Sequence, residues 1–161
     1  MRPETEFIQT IKDNEGIIYK ITRVYTNDRA SQEDLYQEIV YQLWKSFETF
    51  EGRSKRSTWI YRVALNTAIA YLNREKRRGP SVALDLEFDD QFTEEDEDLE
   101  AKLSLLYDHI QRLNVIEKGL ILLHLEGRSY EEIAAITGFS KSNVGTRLGR
   151  IRQKLKTNIK K

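Results

Sequence analysis

The chain comprises 161 residues (19.0 kDa), in which 26 Lys and Arg balance 26 Asp and Glu, with two His and no Cys. A mean hydropathy of −0.62, without an uncharged apolar run near the roughly 20 residues that cross a bilayer, argues against membrane insertion. The missing thiols remove disulfides, thiolate zinc sites and thiol nucleophiles together.

The start, MRPETEF, lacks the basic-then-apolar pattern of a secretory signal, which points to the cytoplasm. The predicted elements that follow are helical. Ile17/Ile18, Ile21 and Val24/Tyr25 recur at three to four residues, as do Ile39, Leu43, Phe47 and Phe50. Ser31-Gln-Glu-Asp34 fits a capping box that starts the helix carrying Leu35 to Phe50. Gly52-Arg53-Ser54-Lys55 breaks it, and a helix from about Thr58 to Arg77 follows, with Ile60, Ala64, Ala68 and Leu72 on one face. Gly79-Pro80 then opens an acidic stretch with a like-charge run from Glu94 to Asp98, a composition that reads as a linker. Beyond it, Leu103, Leu106, Ile110 and Leu113 resume helical spacing, and Val144, Leu148, Ile151 and Leu155 repeat it. No segment sustains strand alternation. The expected fold class is all-α: two small helical domains, 1–78 and 103–161, joined by a flexible acidic linker over 79–102.

Net neutrality argues against a nucleic-acid partner only if charge is evenly spread, and it is not. Residues 1–80 hold 14 basic and 11 acidic side chains (+3), 81–102 hold one and 10 (−9), and 103–161 hold 11 and five (+6). Exposed charges farther apart than a Debye length of roughly 10 Å are largely screened, so a partner senses each block separately.

Residues 129–155, SYEEIAAITGFSKSNVGTRLGRIRQKL, carry the spacing of a helix-turn-helix. Ser129-Tyr-Glu-Glu132 opens a short helix, small Ala134 allows close helix crossing, and Gly138 supplies a positive φ at the turn. Val144 buries between the helices and Ser140 caps the second. The outward face then carries Lys141, Asn143, Thr146, Arg147 and Arg150, suited to phosphates and base edges, with Arg152, Lys154 and Lys156 extending the charge. Gly145 and Gly149 are unexpected inside a helix, where each costs about 1 kcal/mol relative to Ala.

Eleven of the 16 aromatics precede residue 80, and Trp44, Phe47 and Phe50 read as core. The loop GRSKRSTW differs, setting Arg53, Lys55 and Arg56 beside Ser57, Thr58 and Trp59. The following helix ends in Asn73-Arg-Glu-Lys-Arg-Arg78. Cations interleaved with an aromatic and hydroxyls suit single-stranded nucleic acid. Together the two ends suggest a protein that both locates and opens DNA.

With these residues in view, the chain resembles the extracytoplasmic-function (ECF) sigma factors, two-domain bacterial initiation factors. Residues 31–44, SQEDLYQEIVYQLW, are similar to the family's EDLxQExFxxxW segment; 57–66, STWIYRVALN, to its TWLYRIAxN segment; and 143–155, NVGTRLGRIRQKL, to its VxSRLxRARxxL segment. The resemblance covers about 10–78 and 103–157. It implies that Asp34, Leu35, Gln37 and Glu38 dock on the β′ clamp helices of core RNA polymerase, with the β flap a second contact. It implies that the loop 52–58 and helix 59–78 melt and capture the promoter's minus-10 element through Arg53, Lys55, Arg56, Trp59, Asn66, Asn73, Arg74 and Arg77. It implies that helix 141–154 reads the minus-35 element as duplex through Ser140, Lys141, Asn143, Thr146, Arg147 and Arg150, while the linker threads polymerase channels. An anti-sigma factor is a further candidate partner, and no cofactor or metal is implied. Ala70 stands where many members carry Asp, so the family's usual contact at the end of the melting helix does not carry over; Gly145 stands where many carry a basic residue, which implies an altered upstream-element preference or a weaker phosphate contact.

Two rivals compete with that reading. An ordinary transcriptional regulator, whose N-terminal lobe binds a ligand or dimerises, predicts tight duplex binding by the purified chain; a sigma factor predicts weak binding alone. An enzyme finds little support: His109 and His124 lie in no ligand cluster, and the eight Gly are too scattered for a phosphate loop.

Overall fold

The computed structural model describes residues 3–50, 55–77 and 94–159, and among these every regular element is an α-helix. The N-terminal half contains α1 (Pro3–Asp13), α2 (Glu15–Tyr25), α3 (Arg29–Phe47) and α4 (Arg56–Arg77). The C-terminal half contains α5 (Glu94–Gln111), α6 (Val115–Leu125), α7 (Tyr130–Thr137) and α8 (Lys141–Ile159).

The apolar stripes read from the sequence face the core, most of their residues buried and Ile17, Phe47, Phe50 and Leu72 half-buried against it. Ile18, Ile21 and Val24 of α2, Leu35, Ile39 and Leu43 of α3, and Ile60, Ala64 and Ala68 of α4 pack together at 0–1% exposure. Each large side chain so buried contributes about 1.5–3 kcal/mol. Aromatic rings close the end of this bundle: Phe7 meets Trp44 at 4.9 Å and Phe47 at 5.3 Å, and Phe50 stacks on Trp59 at 4.9 Å. Trp44, expected in the core, covers Phe7 with one face and remains 38% exposed.

Apart from shifts of two to three residues at the end of α3 (Phe47, not Phe50) and the start of α4 (Arg56, not Thr58), two boundaries differ from the sequence reading. Helix α3 is capped by Asp28, not Ser31: the Asp28 carboxylate accepts from Ser31 N at 2.8 Å and from its hydroxyl at 3.0 Å. An extended Asp28 with a free carboxylate satisfies the orphan amide better than a serine three residues inside. The break predicted at 52–55 lies mostly outside the described residues. At the other boundary, 94–102 is the first half of α5, not linker. The segment EEDEDLEAK contains strong helix formers, Asp98 pairs with Lys102 one turn on at 3.6 Å, and Glu100 is held by Arg23 at 2.8 Å.

The two halves pack against each other. Tyr25 Oη, on α2, donates to Val115 O at 2.8 Å at the start of α6; Gln111 Nε2 donates to Arg23 O and Thr26 O at 3.0 and 2.8 Å. Lys20 pairs with Glu126 at 2.7 Å, Arg62 donates to Ala135 O, and the Arg128 guanidinium lies 4.8 Å from the Tyr61 ring centroid. Gly119 permits the close approach: a Cβ there would lie 3.1 Å from Tyr25 Oη and 3.4 Å from Leu65 Cδ2. Burial pushes the Tyr25 phenol well above its ordinary pKa, so it remains a donor throughout the physiological range.

Candidate nucleic-acid interface

The C-terminal site is assembled by local signals. Asn114 and Glu117 form a complete capping box at the start of α6, a pair the sequence reading missed although its Asn-x-x-Glu spacing was visible. Ser129 accepts from Glu132 N at 3.1 Å to start α7, and Gly138 ends it in the left-handed region at φ 85°. Ser140 Oγ accepts from Asn143 N at 3.1 Å at the start of α8. Val144, Leu148 and Ile151 are fully buried, which fixes the rotation of α8 and turns the opposite face to solvent.

On that face Ser140, Lys141, Thr146 and Arg150 are exposed, while Asn143 and Arg147 are half-buried. Lys141 pairs with Glu131 at 3.2 Å. Arg147 bonds Asn143 and covers the Phe139 ring. The cations farther along are engaged: Arg152 lies 2.7 Å from His124 Nε2 and donates to Tyr130 Oη at 3.3 Å, and Lys154 pairs with Glu117 at 2.7 Å. These two tie α8 to α6 and α7 instead of extending a free basic stripe, and only three-dimensional proximity reveals it. Burial, then the neighbouring Arg152 charge, lowers the His124 pKa, so its ring is neutral and can accept. The Arg128 hydrogen bond holds the Glu132 carboxyl below the usual range.

In the N-terminal half, the helical residues Asn66, Asn73, Arg74 and Arg77 are exposed along α4. Arg56 is exposed but engaged, to Glu6 at 3.0 Å and Thr10 Oγ1 at 3.2 Å, and Lys55 is exposed beside it. Arg53 lies outside the described residues. Trp59 was expected to meet bases, yet it is only 9% exposed and stacks on Phe50. Its ring is part of the core. Leu35 likewise cannot dock: it is fully buried between α3 and its neighbours, while Asp34 and Gln37 are exposed and Glu38 half-buried. Beside them Phe7, Tyr36, Val40, Tyr41 and Trp44 line an apolar groove that sequence spacing did not reveal.

Residues 10–78 match the family Sigma-70 region 2, and residues 103–155 match Sigma-70, region 4. Over 138 residues the chain is 36% identical to the ECF RNA polymerase sigma-E factor of Haemophilus influenzae, covering 78% of this chain and 73% of the relative. It is 30% identical to the sigma-E factor of Escherichia coli K12, covering 78% and 72%. The chain belongs to the ECF RNA polymerase sigma factors. Its fold matches RpoE in complex with the anti-sigma factor NepR from Bartonella quintana, with TM-score 0.71 at 20% identity over 96% of this chain and 97% of that one. It also matches CnrH in complex with the cytosolic domain of CnrY, with TM-score 0.71 at 19% identity over 98% and 89%.

As a sigma factor, the protein belongs to a family of transcription initiation factors that act with RNA polymerase on promoter DNA, not of catalytic enzymes. Helices α7 and α8 lie inside the region 4 match. No helix among the described residues is long and apolar enough to cross a membrane. No metal-binding cluster appears among them either.

Proposed function

We propose that this sigma factor binds core RNA polymerase through α3 and recognises promoters in two parts, the minus-35 element as duplex through α8 and the minus-10 element as melted strand through α4 and the loop before it. The carrying observation is the orientation of α8: Val144, Leu148 and Ile151 are buried, so Lys141, Thr146 and Arg150 face outward at the helix end that enters a major groove. Asp34, Gln37 and Glu38 supply an acidic docking edge for the β′ clamp helices, with the apolar groove along Tyr41 and Trp44 beside it. The β flap takes region 4. On α4 the exposed Asn66, Asn73, Arg74 and Arg77, with Lys55 and Arg56, line the strand-capturing side.

In the packed arrangement the two DNA-facing helices belong to one body, and engaging two promoter elements on polymerase separates the halves. An anti-sigma factor would act by favouring a packed form. The acidic segment between the halves takes the place of nucleic acid in a basic polymerase channel. In vitro transcription with core enzyme, with start sites mapped, tests the assignment. Defined starts that require this chain support it. Tight sequence-specific duplex binding by the chain alone, without promoter-directed transcription, favours the ordinary regulator.

A further inference from the structure

Sequence logic treats Asn143 and Arg147 as independent DNA contacts. In the fold they are one unit. Arg147 Nε donates to Asn143 Oδ1 at 3.1 Å, one turn earlier on α8, and the guanidinium carbon lies 4.5 Å from the centroid of the Phe139 ring. Phe139 is itself fixed, partly buried against the core in the turn between α7 and α8, with its backbone N donating to Thr137 Oγ1 at 3.3 Å. A ring below and an amide oxygen beside leave the arginine's rotamers few choices.

We infer that Phe139 and Asn143 are positioning residues that preset Arg147 to read a single guanine in the upstream duplex element. This rests on the proposed duplex role of α8. The guanidinium has five N–H donors. Asn143 uses the Nε–H and Phe139 covers one face, so the terminal nitrogens present parallel donors at the open edge. In the major groove guanine alone offers two adjacent acceptors, O6 and N7. Adenine pairs N7 with a donor, and thymine offers one acceptor beside a methyl. Arg147 lies in the second turn of α8, within the N-terminal part that reaches base edges in helix-turn-helix complexes. Fixing its rotamers beforehand reduces the ordering cost on binding. Asn143, with its oxygen engaged, acts through Arg147 and does not read adenine itself.

The test uses holoenzyme assembled from core polymerase and the full chain, on a promoter fragment carrying 7-deazaguanine at each upstream guanine in turn. The wild-type complex should lose about tenfold in affinity at one position, where a donor loses its N7 partner. Arg147→Ala should be insensitive to that substitution. Phe139→Leu and Asn143→Ala should each lose several-fold of the discrimination, Phe139→Tyr should retain it, and Phe139→Leu should add nothing in an Arg147→Ala background. Two variants at separate positions keep the test valid if one fails to fold. The inference is overturned if Phe139→Leu and Asn143→Ala discriminate like wild type. It is also overturned if Arg147→Ala weakens every sequence equally, the behaviour of a phosphate contact. If Arg147→Ala leaves both affinity and promoter selectivity unchanged, the inference falls. Should Lys141→Ala, Thr146→Ala and Arg150→Ala also leave both unchanged, the duplex role of α8 falls with it.

Discussion

Arg74 Nη2 donates to both carboxylate oxygens of Glu38, at 2.8 and 2.6 Å, joining the middle of α3 to the end of α4. One partner belongs to the proposed polymerase-docking edge and the other to the proposed strand-capturing helix. The pair is partly exposed, at 51% for Arg74 and 36% for Glu38, and is worth no more than about 1 kcal/mol. Asp34→Ala with Glu38→Ala should therefore reduce co-purification with core polymerase roughly tenfold or more while shifting the melting temperature by only a few degrees. Retention of polymerase binding at wild-type level would show the docking edge to be misassigned.

Gly119 lies where the two halves approach most closely. Replacing it with Ala places a methyl 3.1 Å from a Tyr25 hydroxyl that is itself anchored on Val115 O. Overpacking costs about 1–3 kcal/mol, partly offset by about 1 kcal/mol of helix propensity. Thermal unfolding of Gly119→Ala should show a lowered midpoint. A raised midpoint would mean that α6 does not pack on α2 this closely.

Gly149 is exposed within α8, and a Cβ there would meet nothing within 4 Å. The protein's own packing gives no reason for glycine, so Gly149→Ala should stabilise the chain by about 1 kcal/mol. If close approach to DNA is the reason, the same variant should weaken promoter binding by holoenzyme. Stabilisation with unchanged promoter binding would remove that explanation.

His124 gives region 4 a pH dependence of definite sign. Burial and the adjacent Arg152 lower its pKa in the fold, so the unfolded chain takes up the proton more readily. The stabilisation is fully present above the unfolded value near 6.5 and is lost as pH falls below it. Melting midpoints measured between about pH 7.5 and 5.5 should decline in the wild type, and His124→Gln should flatten the decline. An unchanged slope in the variant would assign the dependence to other groups.

Much of this molecule was legible because its helices follow period and caps. The stripes through Ile18, Ile39 and Val144, the turn at Gly138 and the Ser129 and Ser140 caps are local signals, and each was found where the spacing placed it. What sequence could not supply was long-range pairing. Trp59 looked like a base platform because cations flank it in sequence, but its ring is stacked on Phe50. Arg152 and Lys154 looked like free positive charge until α6 and α7 supplied His124, Tyr130 and Glu117 as partners. Leu35 sits inside a motif associated with docking, yet its register on α3 points it inward. The contact of the halves through Tyr25, Gly119 and Leu65 has no periodic signature at all.

The neutral charge balance acquires its meaning from those surfaces, with basic blocks on the two working halves and acidic residues between them. The most direct test of the account is permanganate reactivity of thymines around a mapped start site, with core polymerase, this chain and promoter DNA combined or omitted one at a time. The account predicts reactive thymines near the start only when core enzyme and chain are both present, and their loss with Asp34→Ala and Glu38→Ala. Unreactive thymines in the complete mixture at a promoter the chain activates, or equal reactivity without the chain, would contradict it.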